Sequence, residues 1–174
     1  LSDDEIVSAA SRYLKEGAEI IDLGMVADQE MSSEIPRMIS ALRKNFDVPL
    51  SIDTLNQVEI EEAIDCGVDM VVSISGSTME EFEGLEIPAV LVPVNPEEGY
   101  YPDSKEEELD YLDNLLERSK ELGYQNIIPD PIMEPVGRGF SESFNAFYNF
   151  RKNHPDYPIF MGIGNVVELY DADS

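Results

Sequence analysis

Residues 49–76 read PLSIDTLNQVEIEEAIDCGVDMVVSISG and contain a strand, a helix and a second strand. The first strand is the apolar run Leu50–Asp53, and the apolar residues of Val58–Ile64 recur at helical spacing. The second run, Met70–Ile74, is apolar on both faces, which is typical of a parallel strand covered by helices. An apolar strand that ends on an acid, here Asp53, indicates that the carboxylate binds another group.

The same alternation continues on both sides of this segment. Helices are predicted from Ser2 to Glu16 and after Ser104, each opened by a Ser-x-x-Glu capping box, and from Ser141 to Asn153 with Phe144, Phe147 and Tyr148 in the core. The predicted strands are Ile20–Gly24, Leu50–Asp53, Met70–Ile74, Ala89–Val94, Asn126–Asp130 and Pro158–Gly164.

Strict alternation of strand and helix predicts right-handed crossovers and a parallel sheet, either doubly wound or closed into a barrel. A barrel brings every strand end to one mouth, whereas a doubly wound sheet focuses fewer ends on one crevice. Each predicted strand ends on polar groups: Asp22, Asp53, Ser73 with Ser75, Asn95, Asp130 and Asn165. We therefore predict an α/β fold of the (β/α)8 TIM-barrel type.

The length predicts an incomplete barrel. A complete one takes about 250 residues and eight strands, whereas this chain has 174 residues. It opens on a helix without an initiator methionine, and Asp171–Ser174 resembles the N-cap of a further helix. We expect residues 1–174 to be one barrel domain, a fragment of a longer chain with about six of the eight β/α units. Its open sheet edges would stay exposed or pair with a second copy in a homodimer.

Composition excludes several classes of function. With 37 acidic and 11 basic residues the formal net charge is −26, which repels nucleic acid and anionic lipid. No apolar run approaches the length of a membrane span, about 20 residues. One cysteine and one histidine provide neither a disulfide nor a zinc set. These features predict a cytoplasmic protein without nucleic-acid or membrane partners.

Five strand motifs carry a family resemblance. They are Gly17–Gly24 (GAEIIDLG), Pro49–Thr54 (PLSIDT), Gly67–Gly76 (GVDMVVSISG), Ile128–Pro131 (IPDP) and Met161–Asn165 (MGIGN). In order and spacing they resemble successive strands of the pterin-binding barrels, the family of the dihydropteroate synthases and the methyltetrahydrofolate:corrinoid methyltransferases. Within that family the chain resembles the archaeal dihydropteroate synthase-like proteins.

The resemblance implies that Asp53 and Asp130 bind the pterin and that Asp22 is a third strand-end acid of the site. A pterin presents an amino group and a ring N–H side by side, and one carboxylate accepts both hydrogen bonds. The alternative for each acid is a helix N-cap. The family carries a pterin-contacting asparagine where this chain has Val72 and Ser73, so that hydrogen bond is lost or comes from Ser73. Asn95 is a further candidate for substrate binding.

The last motif departs from the synthases, whose Gly-x-Ser-Arg-Lys supplies bases near the substrate. Gly162–Val166 has no base and is similar to the Gly-x-Ser-Asn-Val motif of the methyltransferases. That likeness implies a catalytic role for Asn165 at the methyl-bearing nitrogen, and the alternative is an N-cap for a helix starting near Val166. Arg138 is expected at the mouth, where it would bind a phosphate or a carboxylate, unless it is only a turn residue between glycines.

Two functions follow from these residues. One is a pterin-dependent transferase in folate or methanopterin metabolism or in methyl transfer, which acts on a reduced pterin. The other is a non-catalytic pterin- or corrinoid-associated binding domain, with a corrinoid protein as partner. The missing lysine at Val166 favours the second, and Asn165 favours the first. The acids Asp22, Asp53 and Asp130 would suit Mg²⁺, although separate strands carry them.

Overall fold

Helices and strands alternate along the chain as the sequence predicts. The computed structural model describes residues 1–26 and 29–170. The chain divides into an N-terminal unit, Leu1–Ser73, and a C-terminal unit, Ile74–Ser174. The predicted helix N-cap at Asp171–Ser174 lies outside the described residues. None of the helices within these described ranges is long and apolar enough to cross a membrane.

The N-terminal unit consists of α1 (Asp3–Glu16), β1 (Ile21–Gly24), a 3-10 turn (Ser32–Glu34), α2 (Ile35–Asn45), β2 (Leu50–Asp53), α3 (Gln57–Asp65) and most of β3 (Met70–Ile74). The predicted capping box opens α1: the Ser2 side chain accepts from the Glu5 N–H, and the Glu5 carboxylate accepts from the Ser2 N–H. Local chemistry alone therefore decides where α1 begins.

Strands β1, β2 and β3 pair in parallel in this unit. Gly24 lies beside Asp53, and Asp53 lies beside Val72. The register partners Ile52 and Val71 are fully buried on the opposite face of the sheet. Because side chains alternate between the faces of a strand, the apolar face packs into the core and leaves the acids on the other face.

The C-terminal unit contains β4 (Ala89–Leu91), α4 (Lys105–Glu121), β5 (Ile127–Pro129), α5 (Phe140–Asn153) and a 3-10 helix (Ile163–Tyr170). Strands β4 and β5 pair in parallel. Leucines of α4 and aromatic residues of α5 form the core; they are Leu112, Leu115, Leu116, Phe147 and Phe150. Each such side chain contributes about 1.5–3 kcal/mol by leaving water.

The predicted sixth strand is wrong. Of Pro158–Gly164, only the Phe160 N–H bonds to the neighbouring strand, at the Pro129 carbonyl (3.0 Å). Pro158 has no N–H to donate to a ladder, and the chain then turns, with the Asn165 N–H donating to the Gly162 carbonyl. Strand β4 is also shorter than predicted and ends at Leu91, two residues before a proline.

Two helix details differ from expectation as well. Phe147 is buried, but Phe144 and Tyr148 are 61% and 66% exposed, so these two do not belong to the core. At α4 only the serine half of the predicted capping box forms, because the Glu107 carboxylate accepts from the Asp103 N–H instead of the Ser104 N–H. Helical spacing identifies a helix but not which side a neighbour covers.

Replacement of Gly76 by alanine is expected to destabilise the protein. A β carbon there would overlap the Tyr111 hydroxyl and press on its ring, so G76A should lose about 1–3 kcal/mol in urea denaturation. In a Y111F background, which lacks the oxygen, the loss should be at least halved. The control G24A meets nothing within contact distance and should not destabilise. Equal losses for G76A in both backgrounds would contradict this explanation.

Candidate functional site

Asp53 ends β2 half-buried, and its carboxylate is held by the next strand. The Ser73 Oγ donates a hydrogen bond to its Oδ1 over 2.5 Å. Ser73 has a φ of 77°, the left-handed region that a non-glycine residue rarely adopts. The N-cap of α3 is Asn56, so the capping alternative for Asp53 is wrong. The Asp53 carboxylate is therefore held in place and can accept further hydrogen bonds.

Asp22 is held in the same way, one strand earlier. The Ser51 Oγ donates to the Asp22 Oδ1 over 2.5 Å, and Ser51 itself is 3% exposed. Burial raises the pKa of the Asp22 carboxyl, the Ser51 hydroxyl opposes the rise, and the charge of Asp53 adds to it. Asp22 caps no helix either, because the next helical turn has Met31 at its N-cap position.

Glu59 was not predicted as a site residue, yet it ties together the segments after β1 and β2. Its side chain is fully buried on α3 and accepts from the Met31 N–H over 2.7 Å. The Thr54 hydroxyl, next to Asp53, donates to its other oxygen. Glu59 thereby fixes the backbone that follows two candidate acids.

In the C-terminal unit, Asp130 follows β5 directly and is 7% exposed. Its N–H donates to the Leu91 carbonyl over 3.0 Å, which extends the pairing of β4 and β5 by one bond. The next helix, α5, has Gly139 at its N-cap position, so Asp130 is not a capping residue. The buried carboxylate belongs to a strand end, as the sequence predicts.

Asn95, another predicted ligand contact, is buried and already engaged. Its amide hydrogen-bonds the Tyr111 hydroxyl, and its Oδ1 accepts from the Glu98 N–H over 3.3 Å. Burial raises the pKa of the Tyr111 hydroxyl, against the effect of the Asn95 amide. Asn95 therefore has less free hydrogen-bonding capacity than a strand-end amide facing solvent would have.

Arg138 and Asn165 lie in turns. Arg138 is exposed between Gly137 and Gly139, both with positive φ, which agrees with the turn alternative for its location. Asn165 lies inside the 3-10 helix Ile163–Tyr170, with its side chain over Gly162, so the N-cap alternative is wrong. Neither position tests their predicted contacts with a ligand.

A second base, which sequence reasoning missed, is bonded to the segment that follows Asp130 in the chain. The Lys105 Nζ, at the start of α4, donates to the Glu108 Oε2 (2.7 Å), the Ile132 carbonyl (2.8 Å) and the Glu134 Oε1 (3.3 Å). Burial raises the pKa of the Glu108 carboxyl, Lys105 opposes the rise, and Glu134 adds to it. Through the described ranges, no three histidine, cysteine or acidic side chains are grouped so as to hold a metal ion.

In the N-terminal unit, neutral hydroxyls hold the Asp22 and Asp53 carboxylates. In the C-terminal unit, the Lys105 ammonium group holds those of Glu108 and Glu134. Such acids accept hydrogen bonds from a donor-rich ligand, and burial strengthens these contacts. The sequence contained a signal for Ser51, a polar residue inside an apolar strand two positions before Asp53. It contained none for Glu59 or Lys105, because a helical glutamate or lysine normally faces solvent.

Comparison with known proteins identifies the family. Residues 1–170 match the family described as Pterin binding enzyme. An uncharacterized protein of Methanocaldococcus jannaschii is 36% identical over 181 residues, which cover 100% of this chain and 34% of that protein. The dihydropteroate synthase of Clostridium beijerinckii is 27% identical over 176 residues, which cover 90% of this chain and 65% of the enzyme. The chain thus spans only part of the length of either relative.

Solved structures agree on the fold. A Xanthomonas albilineans dihydropteroate synthase with 4-aminobenzoic acid superposes with a TM-score of 0.75 at 19% identity, over 97% of this chain and 68% of that chain. A Coxiella burnetii dihydropteroate synthase in complex with pteroic acid gives 0.73 at 21% identity, over 98% and 70%. The predicted (β/α)8 barrel type, incomplete in this chain, is confirmed. With strand motifs, fold and a match over residues 1–170 in agreement, the chain belongs to the pterin binding enzyme family as a dihydropteroate synthase-like domain.

Proposed function

We propose that this domain binds a reduced pterin of the folate or methanopterin type and that Asp53 and Asp130 are the acids that hold its ring. The observation that carries the proposal is the state of Asp53. Its carboxylate caps no helix, is fixed by Ser73 alone among the described side chains, and stands at the end of a buried strand. A half-buried carboxylate acceptor of this kind suits the paired amino and N–H donors of a pterin.

Burial makes this arrangement selective. An analogue without the donor pair would leave the Asp53 charge unpaired, and an unpaired buried charge is costly. Asp130, 7% exposed, is the buried acid of the C-terminal unit in this proposal. Val72, which lies beside Asp53 in β3, offers no hydrogen bond, so recognition of the ring depends on the acids more than it does where an amide is present.

We further propose a transferase role for the longer protein of which residues 1–174 would be one domain. Asn165 would accept a hydrogen bond from a protonated ring nitrogen and favour its reactive form. Arg138, exposed between two glycines, would receive a phosphate or carboxylate of the second reactant. Mg²⁺ would enter with a phosphorylated substrate, as it usually does, rather than through a cage of protein ligands.

The second candidate is a binding domain without catalysis that acts with a corrinoid protein or as a pterin carrier. The observation that favours it is that residues 162–166 contain no lysine or arginine. In the same segment, the Asn165 side chain lies over Gly162. A departing polyanion needs nearby cations. Turnover of the full-length protein with a reduced pterin and an arylamine, or with a methylpterin, would separate the two candidates.

Substitution of either acid should weaken pterin binding. An asparagine keeps the shape but turns an amide N–H toward the ligand's donors, and each lost charged hydrogen bond is worth about 1.5–3 kcal/mol. Isothermal titration of the full-length protein with a reduced pterin should show affinities about 10- to 100-fold lower for D53N and for D130N.

The exposed aspartates Asp47 and Asp156 provide matched controls, one in each unit. D47N and D156N make the same chemical change away from the carboxyl ends of the strands and should bind as the wild type does. If the wild-type protein binds neither a reduced pterin nor a methylpterin, or if D53N and D130N bind as tightly as their controls, the proposed function is wrong.

The role of Ser73 can be separated from its backbone strain. S73A and S73G both remove the hydroxyl that fixes Asp53, so each should lower pterin affinity by a similar factor, about 3- to 10-fold. Only glycine adopts a φ of 77° without strain, so S73G should be about 1 kcal/mol more stable to denaturant than S73A. If S73G bound the pterin as tightly as the wild type while the less stable S73A did not, affinity would depend on stability. That result would contradict the positioning role of the Ser73 hydroxyl.

Asp22 should reduce stability at neutral pH. Because the folded protein raises its pKa, the protonated form favours folding and the ionised form opposes it, so stability is lost as the pH rises through the folded-state value. D22N should therefore be more stable than the wild type at pH 7, and the difference should shrink toward the ordinary aspartate pKa of about 3.9. Chemical denaturation between pH 4 and 8, with D47N as control, measures this. If the stability difference between D22N and the wild type does not vary with pH, ionisation of Asp22 is not its cause.

A further inference from the structure

Lys105 occupies an unfavourable position for a cation. It is the first residue of α4, where the helix dipole favours negative charge, and its side chain is only 18% exposed. The next three residues, Glu106–Glu108, are the acids expected in a first turn. A lysine that is buried against the dipole needs a specific set of partners.

Those partners use the whole ammonium group. Its three N–H donors are matched by three oxygens, one on α4 and two on the segment that follows β5. The α4 partner is Glu108, which is 5% exposed, and its second oxygen has no hydrogen-bond partner among the described residues. Apolar residues of similar volume usually stabilise a fold as well as such a buried ionic group does. Stability alone therefore does not account for this cluster.

The segment that Lys105 holds is the one that carries Asp130. Ile132 and Glu134 lie two and four residues beyond it, in a stretch without helix or strand. The Asp130 N–H is bonded to the Leu91 carbonyl, and the Glu134 N–H donates to the Ser143 Oγ over 3.0 Å. Between these two ends, the ammonium group of Lys105 is bonded to the Ile132 carbonyl, so it restrains the middle of the stretch.

We propose that Lys105 is a positioning residue of the ligand site: it ties the start of α4 to residues 130–134 and thereby sets the orientation of the Asp130 carboxylate. This inference rests on the pterin-binding function proposed above. A carboxylate that must meet two donors in parallel tolerates little rotation. A loose segment would therefore cost affinity even where the fold is intact.

The test compares two lysines of the same helix in the full-length protein. K105M keeps the apolar stem and removes the ammonium, whereas K120M removes an exposed ammonium from its pair with Glu117. K105M should speed amide hydrogen exchange in residues 132–134 and lower affinity for a reduced pterin about tenfold, the effect of one lost charged contact. K120M should change neither, and K105R, which keeps a cation with hydrogen-bond donors, should recover most of the affinity.

The outcomes are distinguishable from failure of the proposed function. The positioning role is overturned if amide exchange in K105M is as slow as in K120M. It is also overturned if K105M exchanges faster but binds a reduced pterin as tightly as the wild type does. Pterin binding stands in either case. A wild-type protein that binds no pterin overturns the proposed function, and the exchange data still decide whether Lys105 holds the segment. If K105M does not fold, E134Q removes the charge of the partner at 3.3 Å and should give smaller changes in the same direction. No change in E134Q then counts against the proposal.

Discussion

The hydrogen bond from Ser73 to Asp53 is the contact on which the candidate site of the N-terminal unit depends. Val72, not Ser73, is the register partner of Asp53. In a regular strand the Ser73 side chain would therefore point to the opposite face. The left-handed φ of Ser73 turns its hydroxyl back toward the acid, at a cost of about 1–2 kcal/mol. A hydrogen bond to a charged carboxylate is strong enough to offset that cost, and strain of this kind concentrates at functional sites.

Most helices could be predicted from the sequence because their signals are local. The Ser2 and Glu5 side chains satisfy the first N–H groups of α1 within one turn, so its start needs no tertiary contact. A strand is different, since it exists only through a partner. Residues 158–164 are as apolar as the strands that form, but the proline and glycines among them favour turns. Similarly, the spacing of Phe144 and Tyr148 predicts a helix correctly, although no described neighbour covers that side of it.

The residues of the candidate site show the same contrast between local signals and long-range contacts. Asp22, Asp53 and Asp130 could be proposed from the sequence because each interrupts or ends an apolar run, a pattern visible in a few consecutive residues. The residues that hold the backbone near these acids were harder to predict. Glu59 bonds to a backbone group 28 residues away, and Lys105 to one 27 residues away. No periodicity in the sequence encodes such a contact, and both residues have the appearance of ordinary helix surface. Ser51 lies between these cases, as a polar residue within the strand that carries Asp53.

The way in which the N-terminal unit holds its acids bears on ligand choice. In the N-terminal unit the supports are hydroxyls, which orient a carboxylate without neutralising it. A lysine or arginine in their place would form an ion pair and weaken the pull of the acid on any other donor. The chain has 11 basic residues against 37 acids, and Lys105 is bonded to Glu108 and Glu134, not to Asp53. Among the described side chains Asp53 therefore has no basic partner that competes with a ligand for its oxygens. A neutral ring with two adjacent N–H groups can bond to those oxygens without bringing a counter-ion of its own, which is the property that distinguishes a pterin from an anionic metabolite in so acidic a protein.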